Sequence, residues 1–135
     1  MLRLLVWCRP FAKYFMAAWL LTIIIVSSIP NIPTLKIHTA RAEIRIDYLF
    51  HFIEYGLLAL MAFLTFAPDD FKLKSKKYLI ITIGLILFAI LDEYHQKLIP
   101  GRSFNNKDIL SNITGIVAAA IFCIVLFRII GKRIN

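Results

Sequence analysis

Four apolar segments, each about as long as a helix that crosses a lipid bilayer, occupy most of this 135-residue chain. Crossing the hydrocarbon core takes roughly 20 helical residues, and the segments cover residues 11–29, 47–67, 78–96 and 108–130. Four strands could not close a barrel, so only helices satisfy the backbone of these segments in lipid. The pattern predicts an all-α, polytopic membrane protein in which residues 1–135 form one domain, a bundle of four transmembrane helices.

The composition excludes a soluble protein of this size. Hydrophobic residues make up 60% of the chain, whereas soluble domains contain roughly 45–50%, and a small domain cannot hide that excess from water. The net charge of +8 is explained by lysines and arginines at membrane edges, where they face anionic lipid. Nucleic acid is therefore not predicted as a partner, and membrane lipids are.

The connections between the segments predict an orientation. The N-terminus, the loop between the second and third segments and the C-terminus together hold ten lysines and arginines, and the other two connections hold six. Cytoplasmic loops are enriched in these residues, so both termini are predicted to be cytoplasmic. The first segment is too long for the apolar part of a signal peptide and lacks an A-x-A site, which favours a retained span. The connection at residues 30–46 alternates charged and apolar residues and is expected to lie flat at the membrane surface.

Polar side chains recur at helical spacing inside the three later segments. They are Asp47, His51 and Glu54; Asp92, Glu93 and Gln96; and Asp108 and Asn112. An ionisable side chain costs roughly 2.5–3.5 kcal/mol at the bilayer centre, so it is retained only where it meets partners, water or a ligand. Antiparallel crossing brings all three groups to the outer side of the membrane. We therefore predict that they form one outward-facing polar site, together with Arg102 of the adjoining loop.

The same residues resemble the pattern of the VanZ-like family, small bacterial membrane proteins named for a member linked to teicoplanin resistance. That pattern is an Asp with a His four residues on, an Asp-Glu-x-x-Gln, a Gly-Arg turn, and an Asp with an Asn four residues on. This chain meets it with Asp47 and His51; Asp92, Glu93 and Gln96; Gly101 and Arg102; and Asp108, Asn112 and Gly115. It departs from the pattern at Tyr48, where Lys often follows the first Asp, and at Ala119, where a second Gly is common. The resemblance implies a multi-pass protein of the bacterial cytoplasmic membrane with a role at the cell envelope.

Three interpretations of the polar site stay open. In the first, the site binds an envelope lipid, a lipid-linked cell-wall precursor or a glycopeptide, and the protein lowers susceptibility to lipoglycopeptides such as teicoplanin. The ligand-binding residues would be Asp47, His51, Glu54, Asp92, Glu93, Gln96, Arg102, Asp108 and Asn112. In the second, the protein is an enzyme that hydrolyses or transfers a lipid headgroup, with acid–base candidates His51, Glu54, Asp92, Glu93 and Asp108. In the third, the site is a structural polar clamp that holds no ligand.

Metals and cofactors are not predicted. Carboxylates suit Mg²⁺ or Mn²⁺, but the chain contains no H-E-x-x-H or similar motif, and Cys8 and Cys123 are not spaced as a metal-binding pair. A transporter is also disfavoured, because four helices are few for one and no inverted repeat is present.

Overall fold

A computed structural model of the chain describes residues 2–32, 36–38 and 43–134, and the side chains of residues 9–32 and 46–132. The elements in chain order are α1 (Leu2–Ser27), β1 (Lys36–His38), β2 (Glu43–Arg45), α2 (Asp47–Phe66), α3 (Ser75–Gln96) and α4 (Asn106–Ile134). Each of the four helices that this part of the chain forms is long and apolar enough to span a membrane. The prediction of an all-α bundle of four transmembrane helices is confirmed.

The first helix starts earlier than its apolar segment. It begins at Leu2, whereas the segment that predicted it starts at residue 11. An apolar run marks only the part of a helix that lies in hydrocarbon. The helix continues on the N-terminal side through residues that include arginines, which are suited to a membrane edge.

The four helices run alternately up and down. At one end, Ser27 and Tyr55 contact Asp92, so the end of α1 meets the start of α2 and the end of α3. At the other end, the rings of Tyr78 and Phe127 lie 6.4 Å apart and join the start of α3 to the end of α4. We call these the polar end and the basic end. The start of α1 and the end of α4 both lie at the basic end, and its cytoplasmic location stays a prediction from the distribution of lysines and arginines.

The closest helix pair in the bundle is α2 with α4. A Cβ atom on Gly115 would collide with the backbone carbonyl of Phe52 and lie 3.1 Å from the backbone nitrogen of Gly56. Small residues permit such close approach of helix backbones in membranes. The fully buried side chains of Leu58, Phe63 and Ile116 continue this interface away from the polar end. Because α2 and α4 are in contact here, His51 of α2 and Asp108 of α4 lie side by side further toward the polar end.

A short antiparallel hairpin connects α1 to α2, where the alternating sequence was expected to lie flat at the membrane surface. Strands β1 and β2 pair in the register Lys36 with Arg45, Ile37 with Ile44 and His38 with Glu43. Alternation with a period of two is also the pattern of a strand, which is how these residues are folded. Some residues used to predict the orientation and thiol chemistry lie outside the described side chains: Arg3, Cys8, Lys36, Arg41, Arg45 and Arg133.

Candidate functional site

The carboxylate of Asp92 joins three helices at the polar end. Its Oδ2 atom accepts hydrogen bonds from Ser27 Oγ of α1 at 2.9 Å, from Tyr55 OH of α2 at 2.9 Å and from Gln96 Nε2 of α3 at 3.0 Å. The residue is 6% exposed. Hydrogen bonds to a carboxylate are stronger than those between neutral groups, so this acid is well compensated although it is buried. Asp92 therefore fixes how α1, α2 and α3 meet.

A second set of contacts ties α4 to the other helices. Asp108 Oδ2 lies 3.8 Å from His51 Nε2 on α2, and Asp108 Oδ1 accepts a hydrogen bond from Asn105 Nδ2 at 3.0 Å. The backbone N–H of Asn105 donates to Glu93 Oε1 of α3 at 2.8 Å. The Asn105 side chain in turn accepts the backbone N–H of Lys107 at 3.1 Å and so caps the start of α4. The acids of α3 and α4 are thus linked through the turn that precedes α4.

A cavity of about 400 Å³ opens at the polar end, between α1, α2 and the loop that follows α3. Six of the residues predicted to bind a ligand line it: Asp47, His51, Glu54, Gln96, Arg102 and Asp108. Val26 of α1, together with Phe50 and Ile53 of α2, also lines the cavity while remaining 39%, 55% and 45% exposed. Exposed apolar side chains of a membrane span are suited to face hydrocarbon, so this rim of the cavity is suited to contact lipid chains. We call this space the polar cavity.

The floor of the polar cavity is closed by a contact between α1 and α2. Trp19, which lines the cavity, donates a hydrogen bond from its indole N–H to the backbone carbonyl of Glu54 at 2.9 Å. The side chain of Glu54 lines the cavity at the same level. Glu54 is therefore the deepest acid of the cavity on α2, because His51 and Asp47 precede it toward the helix start.

Three of the predicted residues do not line the cavity. Asp92, Glu93 and Asn112 lie behind its wall and are at most 6% exposed. Asp92 is occupied by the three donors that join the helices. Asn112 is fully buried on α4, and neither its Nδ2 nor its Oδ1 atom has a hydrogen-bond partner among the described residues. The nine predicted residues thus divide into a lining layer and a buried layer, and ligand binding by either stays a prediction.

Two residues of the cavity lining each have a polar atom without a hydrogen-bond partner among the described residues. His51 Nδ1 and Arg102 Nε are buried and have no hydrogen-bond partner within the described part of the chain. Arg102 Nη2 makes one long contact, 3.5 Å, with the backbone carbonyl of Val26. Buried polar atoms in native proteins nearly always have a partner, either protein, water or ligand. Both side chains therefore contribute hydrogen-bonding groups to the cavity wall that no described residue satisfies.

Three residues that hold this site together were not predicted to do so from the sequence. Asn105 was overlooked, although an Asn just before an apolar helix is a common N-cap signal. Ser27 and Tyr55 lie in predicted helices, but the spacing of residues within each helix does not indicate that both side chains donate to Asp92. Across the described residues, no group of three or more His, Cys, Asp or Glu side chains is arranged to hold a metal ion. Cys123 is a buried free thiol in the bundle interior.

Comparison with known proteins identifies the family. No curated protein and no solved structure matches the chain. The model of the VanZ/LLP1 family matches residues 3–128, a range that includes all of the polar end and most of each helix. The chain therefore belongs to the VanZ/LLP1 family.

Proposed function

We propose that this membrane protein binds the headgroup of an envelope lipid or of a lipid-linked cell-wall precursor in the polar cavity. One observation carries the proposal: six of the predicted polar side chains and an exposed apolar rim line the same cavity. A water-soluble ligand would make no favourable contact with the apolar rim. A hydrocarbon ligand would make no favourable contact with the acidic side chains. A molecule with both a polar headgroup and acyl or prenyl chains uses both.

The chemistry of the lining divides between one permanent cation and several acids. The planar guanidinium of Arg102 is suited to bidentate contact with a phosphate. Glu54, deeper in the cavity, is suited to accept hydrogen bonds from an amine or from sugar hydroxyls. The chains of the lipid would leave the cavity across Phe50 and Ile53. The smaller number of lysines and arginines in the connections at the polar end favours its placement in the outer leaflet.

A protein that holds such a lipid at the outer leaflet would change what a lipoglycopeptide meets there. We therefore expect deletion of the protein to change susceptibility to teicoplanin and not to vancomycin, which lacks a lipid tail. Equal changes for the two antibiotics would argue for a general envelope defect instead.

Binding is tested directly with the purified full-length protein and a lipid-linked cell-wall precursor. We expect Arg102→Gln and Glu54→Gln each to weaken binding by about 10-fold or more, since each removes a hydrogen bond to a charged group, worth roughly 1.5–3 kcal/mol. Lys97→Gln is the matched control, because Lys97 is an exposed cation at the same end that does not line the cavity. Binding that is unchanged in both cavity variants, or lowered equally in the control, contradicts the proposal.

One observation supports enzymatic action on the bound headgroup as a second candidate. His51 lies in the cavity with Nε2 3.8 Å from the Asp108 carboxylate and Nδ1 without a partner among the described residues. This separation is an ion-pair distance and not a hydrogen bond, and a histidine beside a carboxylate is suited to act as a general base toward a water molecule. Incubation with the lipid followed by mass spectrometry of the products distinguishes the two functions. Turnover that is lost in His51→Gln while binding persists indicates an enzyme; unchanged lipid indicates a binding protein.

A further inference from the structure

A second cavity, of about 740 Å³, lies at the basic end of the bundle. It is bounded by the loop between α2 and α3, the start of α3 and the end of α4. Among the described side chains, three cations line it, namely Lys72, Arg128 and Lys132, and no acidic side chain does. Its remaining walls are mainly apolar and aromatic, with Leu79 and Ile124 toward the membrane interior. We call it the basic groove.

The loop before α3 is folded so that it forms one wall of the basic groove. Phe71 adopts a left-handed backbone conformation, with φ of 56°, which turns the chain sharply. Its buried ring packs edge-on against Phe127 of α4, with the ring centroids 5.3 Å apart. The next residue, Lys72, is held by a hydrogen bond from its backbone N–H to the carboxylate of Asp70 at 3.0 Å. Lys72 is therefore held on the same groove as the two cations of α4.

The cations of the basic groove differ from Arg9, which lies at the same end of the bundle. Arg9 forms an ion pair with Asp69 at 2.5 Å and lies over the ring of Phe71. Lys72, Arg128 and Lys132 are exposed, and none of them forms an ion pair with a described side chain. Uncompensated cations beside an apolar surface at a membrane edge attract anionic lipid headgroups.

We propose that the basic groove is a binding site for an anionic phospholipid of the adjacent leaflet. The phosphate would lie between Lys72, Arg128 and Lys132, and the Ser75 hydroxyl is placed to meet the glycerol backbone. The acyl chains would run along Leu79 and Ile124, away from the membrane edge. Charge complementarity selects this occupant, because a zwitterionic lipid would bring its own cation into a groove whose described lining holds no acid. The site lies at the opposite end from the polar cavity and does not depend on the function proposed there.

The test is native mass spectrometry of the full-length protein in detergent with equal amounts of phosphatidylglycerol and phosphatidylcholine. We expect the first phosphatidylglycerol to bind at least about fivefold more tightly than phosphatidylcholine, the effect of a single cation near an anionic headgroup. The triple variant K72Q/R128Q/K132Q should lose this preference. The matched control K74Q/K76Q/K77Q removes the same charge from the same end, outside the groove, and should keep the preference within about twofold.

Three results would overturn the proposal. The first is equal binding of the two lipids to the unaltered protein, which needs no variant to interpret. The second is an equal loss of preference in both triple variants, which would show a general effect of charge. The third is a loss of preference in Arg102→Gln but not in K72Q/R128Q/K132Q, which would place the anionic lipid in the polar cavity.

Discussion

The polar end and the basic end of the bundle both carry many charged groups, yet they accommodate them in opposite ways. At the polar end, Asp92, Glu93 and Asp108 are buried and bonded to side chains or backbone of other helices and turns. At the basic end, Lys74 and Lys76 are exposed. A lysine has a long stem that lets its charge reach water from a membrane edge. An Asp side chain is short, so a carboxylate that faces the bundle interior must find its partners there.

This difference shows which charges of a membrane protein carry structural information. Exposed lysines indicate where a helix leaves the membrane, and they need no particular position around the helix. Buried acids need a defined position, because each must reach donors on a neighbouring helix. Substitutions at the two ends should therefore differ strongly in their effect on stability.

The largest effect is expected for Asp92→Leu. Losing this carboxylate leaves the donors of Ser27 and Tyr55 buried without an acceptor and leaves Gln96 Nε2 only its long contact, 3.5 Å, with Ser27 Oγ. We expect a cost of about 3–5 kcal/mol in the free energy of unfolding. Unfolding by sodium dodecyl sulfate in mixed micelles measures it. Asp92→Asn keeps an acceptor oxygen and should lose less. A stability of Asp92→Leu equal to that of the unaltered protein would show that the three hydrogen bonds do not hold the helices.

A smaller effect is expected where α2 and α4 touch. Gly115→Ala places a Cβ against the backbone of Phe52 and must push the helices apart, which costs about 1–3 kcal/mol by overpacking. The matched control is Gly84→Ala on α3, since a Cβ there meets no atom within 4 Å. The same unfolding assay applies to both variants. If the two substitutions are equally tolerated, the close approach of α2 and α4 is not needed for the polar end.

Each single hydrogen-bond donor to Asp92 should contribute less still to the free energy of unfolding. Ser27→Ala removes one of its three hydrogen bonds, and such bonds in membrane proteins contribute on average about 0.6 kcal/mol and at most about 1.7. Ser28→Ala is the control, because the neighbouring hydroxyl is exposed and, among the described residues, bonds only the backbone carbonyl of Ile24. A loss as large in Ser28→Ala as in Ser27→Ala would mean that helix propensity, not the Asp92 contact, is being measured.

The smallest effect is expected at the basic end. Asp69→Asn removes the charge that pairs with Arg9, but the Asp69 side chain is fully exposed and the pair is solvated. We expect no measurable shift in the unfolding midpoint. A shift comparable to that of Asp92→Leu would remove the distinction between the two ends.

Much of the polar end could be predicted from the sequence because helix geometry is regular. Asp47, His51 and Glu54 share a face through their spacing alone, and antiparallel crossing sets their depth relative to Asp92. The division between a lining layer and a buried layer could not be predicted. It depends on how each helix is rotated about its axis, which is set by contacts such as that of Gly115 with Phe52. The role of Asn105 depends on a turn whose conformation helical spacing does not describe.

By itself the sequence determined that the chain spans the membrane with four helices, because hydrocarbon tolerates no other backbone for segments of that length. It also determined that the acids within the three later spans lie at one end, because their positions along each helix are a matter of counting residues. Only the tertiary structure decided that Asp92 would join three helices, that the polar cavity would open between α1 and α2, and that three cations would share the basic groove. These features depend on distances between side chains far apart in the chain, which are set by how the helices pack.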